Sequence, residues 1–431
     1  MNHPLSARAL AYFDELFPLD PPVMTPSPIA PHKASSASII DDIVSFDAFG
    51  TQTLRETRED IPYFINEFWT SGQRKGHSLH EISYRACFKP QLPEFFISRL
   101  TEPGEAVYDP FMGRGTTLVQ AALQGRAPFG NDVNPLSTLL VRPRLNPPRL
   151  ADIAAALSEV PWHRKVDVRE DLTAFYHPDT LRRLTVLREH LLERAPLEDS
   201  EPELALDWIR MVALNRLTGH SPGFFSVYTL PPNQAVSVDA QRKINEKRQQ
   251  TPEIRDIEKI ILKKTKSLLS DGVMPAHPRG KLCIGKACNT PSIKNGEVSL
   301  VVTSPPFLDI VQYAQDNWLR CWFAGIDPSG VEIAMLKSEE AWTSMVHETL
   351  REQARLLRPG GHVAFEVGEV RRGKVLLERL VWKAAEDLPF ERLGVMVNQQ
   401  EFTKTANCWG VNNNSSGTNT NRIVLLRRSR E

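Results

Sequence analysis

The sequence of 431 residues is poor in cysteine, lacks long apolar runs and carries no net charge. Its five cysteines are scattered without a CxxC pair, which suits a reducing compartment and gives neither a disulfide framework nor a zinc site. No apolar run approaches the roughly 18 residues of a membrane span, and the first residues lack the pattern of a signal peptide. We therefore expect a soluble, cytoplasmic protein without a membrane partner or a metal.

The 52 lysines and arginines balance the 52 aspartates and glutamates. The overall charge therefore indicates neither a nucleic acid nor a membrane as partner, and any electrostatic attraction to a partner must come from a local cluster of charges. The length is sufficient for one large catalytic domain with a substantial second module.

Strand and helix signals alternate in two stretches of the sequence that a helical block separates, which is typical of an α/β fold with a parallel sheet. The pattern predicts strands at 106–109, 127–132, 281–287, 362–368, 392–398 and 422–426, another strand that runs into Thr303, and helices at 338–357 and 375–388. The predicted units are a helix with a Pro/Ser-rich linker (1–38), the first part of the α/β domain (39–148), a helical insertion (149–278) and the second part of the α/β domain (279–431).

The first strand-to-helix turn, DPFMGRGTT at 109–117, contains two closely spaced glycines. Gly113 and Gly115 allow a sharp turn and a close approach of a ligand to the backbone at a helix start. Asp132 ends the next strand, where an acid would accept a ribose hydroxyl. The spacing is neither GxGxxG nor a P-loop, so NAD and ATP both fit poorly. A tight turn without a ligand is the alternative interpretation.

The strand that ends at Thr303 runs into Ser304, Pro305, Pro306 and Phe307. Two consecutive prolines stiffen the loop and hold a carbonyl outward, between a hydroxyl and an aromatic ring. Taken alone, the segment could equally be a proline-rich turn.

Together, the two segments resemble a known family. DPFMGRGTT resembles motif I of the amino-methylating DNA methyltransferases, TSPPF resembles their catalytic motif IV, and residues 82–100 are similar to motif X. The resemblance covers about 80–145 and 280–428. It implies a Rossmann-like class I methyltransferase fold, with a mostly parallel seven-stranded sheet, an antiparallel last strand and, here, an inserted helical domain. It also implies S-adenosyl-L-methionine as cofactor.

Carried over position by position, the resemblance implies two sets of site residues. The catalytic set is Ser304, Pro305, Pro306 and Phe307. The cofactor-binding set is Lys89, Pro90, Asp109, Pro110, Phe111, Gly113, Gly115, Thr116, Thr117, Asp132, Asn134 and Thr303.

The chemistry of amino methylation explains this loop. The lone pair of an exocyclic base amine is drawn into the ring, so two acceptors must bind its N–H bonds and turn the lone pair toward the methyl donor. The Ser304 hydroxyl and the Pro305 carbonyl are suitable acceptors, and Phe307 offers a stacking face for a flipped base. Carbon-5 methylation of cytosine is excluded because no cysteine follows a proline.

The first position of the catalytic motif indicates the base. In the family, serine there is typical of cytosine-N4 enzymes, and aspartate or asparagine of adenine-N6 enzymes, so Ser304 predicts methylation of N4 of cytosine. Here, however, the cofactor motif precedes the catalytic loop by about 190 residues, opposite to the order in many serine-type members. Adenine-N6 methylation, RNA base methylation and a noncatalytic cofactor- and DNA-binding protein stay open as alternatives.

The helical block is the candidate for target recognition. Residues 242–266 contain nine lysines and arginines against four acids, a locally basic segment that suits phosphates. We predict contacts with double-stranded DNA at Arg242, Lys243, Lys247 and Arg248. The alternative is a solvated helix face. A cognate restriction endonuclease and a homodimer are further partners that this interpretation allows.

Overall fold

The structure is a computed structural model. It describes residues 38–69, 76–84, 87–197, 203–229, 235–306, 308, 313–331, 336, 338–370, 375–399 and 420–430. The predicted helix and linker of residues 1–38, all but Ser38, and the predicted stacking residue Phe307 lie outside the described residues.

A single large sheet dominates the described part of the chain, with a separate two-stranded ribbon of β8 and β9. The strands are β1 Leu54–Arg58, β2 Ile61–Asn66, β3 Ala106–Asp109, β4 Ala127–Asp132, β5 Lys281–Ile284, β6 Val298–Thr303, β7 Leu357–Val367, β8 Glu369–Val370, β9 Val375–Leu376, β10 Phe390–Gln399 and β11 Thr420–Arg428. Nine strands form the large sheet in the order β1-β2-β10-β11-β7-β6-β3-β4-β5.

The pairing within this sheet confirms the predicted α/β fold. β7, β6, β3, β4 and β5 pair in parallel, and β11 is antiparallel to both of its neighbours, β10 and β7. The predicted count of seven strands was wrong, because β1 and β2 extend the sheet to nine.

The additional strands form a hairpin that the sequence pattern did not reveal. Glu59 and Asp60 connect them with φ of 50° and 64°, the left-handed conformation of the tight turn that suits strand twist. β1 is largely exposed and reads Leu-Arg-Glu-Thr-Arg, without apolar alternation. It is an edge strand, and charged side chains on such an edge discourage pairing with another chain.

Twelve α-helices surround or extend the sheet within the described residues. They are α1 Ile39–Val44, α2 Gln91–Leu100, α3 Thr116–Leu123, α4 Pro135–Leu145, α5 Leu150–Ser158, α6 Pro178–Arg194, α7 Leu204–Arg216, α8 Val238–Arg248, α9 Ile257–Leu268, α10 Tyr313–Ala324, α11 Glu339–Leu356 and α12 Leu377–Ala384. None of the helices in this described part is long and apolar enough to cross a bilayer.

In the range of the predicted helical block the chain forms α5 to α9, which lie in sequence between β4 and β5. Two local predictions were wrong. The predicted strand at 362–368 begins earlier, because α11 ends at Leu356 and β7 begins at Leu357, where its backbone already pairs with Val298. The predicted helix at 375–388 is shorter, since residues 375–376 form β9.

Each face of the sheet has its own apolar core. On one face, Val302, Ala364 and Ile423 pack with residues of α1 and α2, and we call it the α2 face. On the other face, Val301 and Val424 pack with residues of α11 and α12, and we call it the α11 face. Successive side chains of a strand point to opposite faces, so sequence parity assigns each strand residue to one of them.

Candidate active site

The predicted site residues lie at one edge of the sheet. Asp109 ends β3, Asp132 ends β4 and Thr303 ends β6. β3 pairs in parallel with both β4 and β6, so the three carboxyl ends meet at the same edge. Ligands of open α/β sheets bind at this edge.

The glycine turn after β3 has the backbone conformation that the sequence suggested. Gly113 and Gly115 have φ of +48° and +75°, values that favour glycine. At Gly115 a Cβ atom would lie 2.4 Å from Cγ2 of Val141, so no larger residue fits without a shift. No side chain caps the start of α3 at Gly115, which leaves the first turn of this helix open to a ligand.

Asp132 closes the glycine turn from the neighbouring strand. Its Oδ2 atom accepts a hydrogen bond from the Gly113 N–H at 2.8 Å, and its Oδ1 atom accepts one from the Asn134 N–H at 2.9 Å. Burial raises the pKa of Asp132, and the two backbone N–H groups oppose that shift. The carboxylate is therefore fixed beside the turn, at the end of β4.

Asp109 joins the glycine turn to β6. Its Oδ1 atom accepts hydrogen bonds from the Thr303 hydroxyl at 2.6 Å and from the Phe111 N–H at 3.0 Å. Asp109 is buried, and this burial raises its pKa to about 7 against the opposing effect of the two donors. Thr117 adds a second connection, because its hydroxyl donates to the Val302 carbonyl at 3.0 Å. Two segments 194 residues apart in sequence are thus directly bonded.

The segment before α2 folds over the glycine turn. Arg114 donates to the carbonyl of Ile82 at 2.8 Å and to that of Phe88 at 3.4 Å. The Tyr84 hydroxyl accepts a hydrogen bond from Asn134 Nδ2 at 3.0 Å. These contacts fix Ile82, Tyr84 and Phe88 against the start of α3 and α4.

The remaining predicted cofactor residues flank the same turn. Lys89 is exposed and Pro90 is half-buried at the start of α2, and Pro110 and Phe111 begin the turn after β3. The Thr116 hydroxyl accepts a hydrogen bond from Arg114 Nε at 3.1 Å.

The predicted catalytic loop begins directly after β6. Ser304 is half-buried and Pro305 is buried. The carbonyl of Pro306 accepts a hydrogen bond from the indole N–H of Trp342 in α11 at 2.9 Å. The loop is therefore anchored on both sides, by Thr303 to β3 and by Pro306 to α11.

A row of polar side chains at the same edge was missed by sequence reasoning. Its five members lie at this edge on five adjacent strands or directly after one: Asn66 of β2, Asn398 of β10, Asn421 of β11, Glu366 of β7 and Ser304 directly after β6. We call them the polar row. Asn398 pairs in register with both Asn66 and Asn421. The available signal was a single polar residue on the buried side of each apolar strand, which is expensive without a partner.

Asn398 links the polar row to the chain directly after β2. Its Oδ1 atom accepts hydrogen bonds from the N–H groups of Phe68 and Trp69, at 2.7 and 3.2 Å. β2 thus ends at this edge of the sheet, and Asn398 fixes the backbone that follows the strand.

Glu366 is the acidic member of the polar row, and it is buried. Its Oε1 atom accepts a hydrogen bond from Asn421 Nδ2 at 3.0 Å. Burial raises the pKa of Glu366, and the Ser304 hydroxyl and the Asn421 amide act in the opposite direction. Both of these donors are neutral.

The predicted DNA contacts lie together on α8. All four residues are exposed: Arg242, Lys243, Lys247 and Arg248. Arg248 lies over the ring of Tyr228, with 3.8 Å between the guanidinium carbon and the ring centroid. The segment before α8 contacts the helix that follows the catalytic loop, because the indole N–H of Trp318 in α10 donates to the Ala235 carbonyl at 3.2 Å.

Comparisons with known proteins match part of this chain to a family. Residues 42–136 match the family model described as DNA methylase. The type II methyltransferase M.MjaII of Methanocaldococcus jannaschii is 41% identical over 69 residues, which are 16% of this chain and 13% of that protein. M.MvaI of Kocuria varians is 34% identical over 117 residues, 26% of this chain and 24% of that protein. These matches confirm the resemblance that the motifs indicated, although the chain spans less than a quarter of either relative.

Solved structures give weaker similarities. TrmN from Thermus thermophilus is 13% identical, with 81% of this chain and 51% of that chain covered and a TM-score of 0.31. A SAM-dependent methyltransferase of Methanosarcina mazei is 10% identical, with 77% and 96% covered and a TM-score of 0.31. The family resemblance therefore rests on the sequence matches.

Proposed function

We propose that this relative of the amino-methylating DNA methyltransferases transfers the methyl group of S-adenosyl-L-methionine to N4 of a flipped cytosine in a specific double-stranded DNA sequence, as enzymes of restriction-modification systems do. One observation carries the proposal. The glycine turn and the catalytic loop share one edge of the sheet and are bonded through Asp109 and Thr303. A methyl donor at the turn and an acceptor at Ser304 would then be neighbours.

The residues around the glycine turn fit this cofactor. The left-handed glycines admit a ligand close to the backbone, the start of α3 has no side-chain cap, and Asp132 stands one strand away as an acceptor for ribose hydroxyls. The bound cofactor supplies a methyl group on a sulfonium centre. Asp109 and Thr303 are buried against each other, so we assign them an indirect part, that of shaping the turn.

The catalytic loop supplies the two acceptors that the amine requires. The Ser304 hydroxyl and the Pro305 carbonyl would accept the two N–H bonds of the amine, which leaves its lone pair directed at the methyl group. The anchoring of Pro306 by Trp342 supports a rigid loop, since preorganised dipoles need no reorganisation during the reaction. Cytosine is proposed because the first position of the motif is serine, whereas the adenine alternative would favour aspartate or asparagine.

Analysis of the methylated nucleosides tests the proposal. Unmethylated plasmid DNA is incubated with the protein and methyl-labelled cofactor and is then digested to nucleosides. We expect the label in N4-methyl-2′-deoxycytidine, and Ser304→Ala should abolish labelling while cofactor binding is kept. Label in N6-methyl-2′-deoxyadenosine would move the substrate to adenine. No label in DNA, with label in RNA or in neither, would overturn the proposal.

The exposed basic residues of α8 are proposed to bind DNA phosphates. Replacing Arg242 and Lys243 by glutamine should weaken binding and reduce the slope of log affinity against log salt by about 1.8, since each phosphate contact contributes about 0.9. Lys294 and Lys383 are exposed lysines outside α8, so the same two-charge replacement there is a matched control. Equal slopes for the two double variants would exclude α8 from the interface.

A further inference from the structure

Arginines bind the backbone of the segment that packs against the glycine turn. We call the described residues of this segment the cover: Ile82, Ser83, Tyr84, Cys87 and Phe88. Arg114, within the turn, donates to the carbonyl of Ile82 at 2.8 Å and to that of Phe88 at 3.4 Å. Arg144 of α4 donates to the carbonyl of Leu79, just before the cover, at 3.1 Å. Because the acceptors are backbone carbonyls, these bonds fix the path of the chain itself.

A third arginine reaches the cover from a distant part of the chain. Arg320 lies on α10, the helix that follows the predicted catalytic loop, and its Nη2 atom donates to the Ser83 carbonyl at 3.2 Å. Its guanidinium carbon is 5.8 Å from the ring centroid of Tyr84. Arg320 and Ser83 are 237 residues apart in sequence. Of these three arginines, Arg320 is therefore the one that connects the cover to the part of the chain with the predicted catalytic loop.

Tyr84 connects this contact to two predicted cofactor residues. A Cβ atom at Gly113 would lie 3.6 Å from Cε1 of Tyr84, so the ring packs against the backbone of the turn. The Tyr84 hydroxyl accepts the hydrogen bond from Asn134 Nδ2, and Asn134 Oδ1 accepts one from the Leu136 N–H at 2.9 Å. The position of Tyr84 therefore helps to fix the turn and the start of α4, where the cofactor is expected.

The helix that carries Arg320 is firmly packed on its other sides. Leu319 and Phe323 are buried in the same apolar core as residues of α6 and α7. Arg188 of α6 donates through Nε to the Trp322 carbonyl at 2.7 Å. α10 is therefore a fixed support from which Arg320 can hold the cover in place.

We propose that Arg320 is a positioning residue for cofactor binding: its guanidinium holds Ser83 and Tyr84 against the glycine turn, so that S-adenosyl-L-methionine bound at the turn dissociates slowly. The inference gives a cofactor role to α10, a helix that none of the recognised motifs includes. It rests on the cofactor named in the proposed function and not on the base that is methylated. Arg320 has no part in the chemical step.

Calorimetric titration with S-adenosyl-L-methionine tests the inference without any need for turnover. Arg320→Ala and Arg320→Gln should each raise Kd about 10-fold, because each removes a hydrogen bond from a charged donor. The increase should lie mainly in the dissociation rate, measured by stopped flow. Arg320→Lys keeps the charge and much of the stem, so its Kd should stay within about 3-fold of the wild type. If Arg320→Ala does not fold, Arg320→Gln decides the result.

Arg188 provides the matched control, because it makes the same kind of contact with the same helix. It is half-buried like Arg320, it donates to a backbone carbonyl, and its guanidinium carbon is 5.6 Å from the ring centroid of Trp322. Arg188→Ala should lower the midpoint of thermal unfolding and leave Kd for the cofactor within about 2-fold. Thermal unfolding is measured for every variant, so that a loss of packing is separated from a loss of cofactor affinity.

A double-mutant cycle tests whether Arg320 acts through Tyr84. Kd for the cofactor is measured for Arg320→Ala, Tyr84→Leu and the double variant. In the Tyr84→Leu background, the loss of Arg320 should change Kd by less than about 3-fold, because the ring that it positions is already absent. With DNA as substrate, Arg320→Ala should raise KM for the cofactor about 10-fold and leave kcat at saturating cofactor within about 3-fold.

The outcomes are distinguishable. Weaker cofactor binding in Arg320→Ala but not in Arg188→Ala, together with the expected non-additivity, supports the role of Arg320. An unchanged Kd, an equal increase in both arginine variants, or full additivity with Tyr84→Leu overturns this inference and leaves the proposed function intact. A wild type that binds the cofactor but methylates no DNA overturns the proposed function alone, and a wild type that does not bind the cofactor overturns both.

Discussion

Two buried glutamates accept hydrogen bonds from consecutive residues of β11, and the two donors differ in charge. On the α2 face, Asn421 donates to Glu366 at 3.0 Å. On the α11 face, Arg422 donates to Glu378, with 2.8 Å between Nη1 and Oε1. One carboxylate is thus opposite a neutral amide and the other is opposite a cation.

The difference distinguishes a buried carboxylate whose charge is compensated by a cation from one that is held by neutral donors. Arg422 compensates the charge of Glu378, and the hydroxyl of Tyr63 lies 3.5 Å from the same carboxylate oxygen. Glu366 receives neutral donors, and burial raises its pKa. Buried groups with such shifts cluster at functional sites, because the fold retains them at a cost in stability. This second carboxylate lies at the edge that carries Ser304, the predicted catalytic serine.

Breaking the ion pair should have the largest effect on stability. Glu378→Ala leaves Arg422 buried without its carboxylate, and we expect a loss of about 3–5 kcal/mol in the free energy of unfolding. Urea unfolding of the two proteins measures it. Leucine at both positions should recover most of the loss, and a loss below about 1 kcal/mol for Glu378→Ala would contradict a structural role for the pair.

Asp109 is a second buried carboxylate with neutral donors, and it extends the comparison to pH. Its pKa of about 7 exceeds its ordinary value, so its contribution to stability is fully present below that ordinary value and is lost as the pH rises through 7. Between pH 5 and 8 the wild type should lose roughly 2–3 kcal/mol relative to Asp109→Asn. Parallel stability curves for the two proteins would show that Asp109 ionises normally.

Neutralising Glu366 should have an effect of opposite sign to breaking the ion pair. Because the folded protein disfavours the charged form of this group, Glu366→Gln should leave the free energy of unfolding at pH 8 unchanged or raise it by about 1 kcal/mol. Denaturant unfolding at pH 8 and pH 5 checks this, since the gain should shrink at the lower pH. A loss comparable to that of Glu378→Ala would remove the distinction between the two glutamates.

The exposed pair of Glu391 and Arg427 on β10 and β11 sets the lower limit of the series. Their side chains are 52% and 35% exposed, and water screens such pairs. Glu391→Gln should therefore change the free energy of unfolding by no more than about 1 kcal/mol. A larger change, measured by the same urea titration, would mean that the distance between the two charges, and not their burial, determines how much an ion pair stabilises this sheet.

The sequence predicted those parts of the fold whose signal is continuous along the chain. β3 and β4 have the predicted bounds, because short apolar runs there end at an acid and are bounded by turn residues. The glycine turn and the catalytic loop could be placed at one edge, since both follow strands of a parallel sheet.

The parts that were missed depend on long-range neighbours. The edge strand β1 has no apolar alternation, because both its sides face water, and a pattern method has nothing to detect there. Glu366 and Asn421 are 55 residues apart, and their bond depends on the register between β7 and β11. Only the assembled sheet shows that a single polar residue in each strand belongs to one row.

The hairpin of β1 and β2 also determines where this protein can be cut. β2 is bonded to β10, and Asn398 secures the chain directly after β2 through the N–H groups of Phe68 and Trp69. A fragment that begins after Asn66 would preserve every recognised motif, yet it would remove the strand that holds this chain against β10. Truncation or domain grafting in this protein should therefore keep β1 and β2, even though the motifs start later.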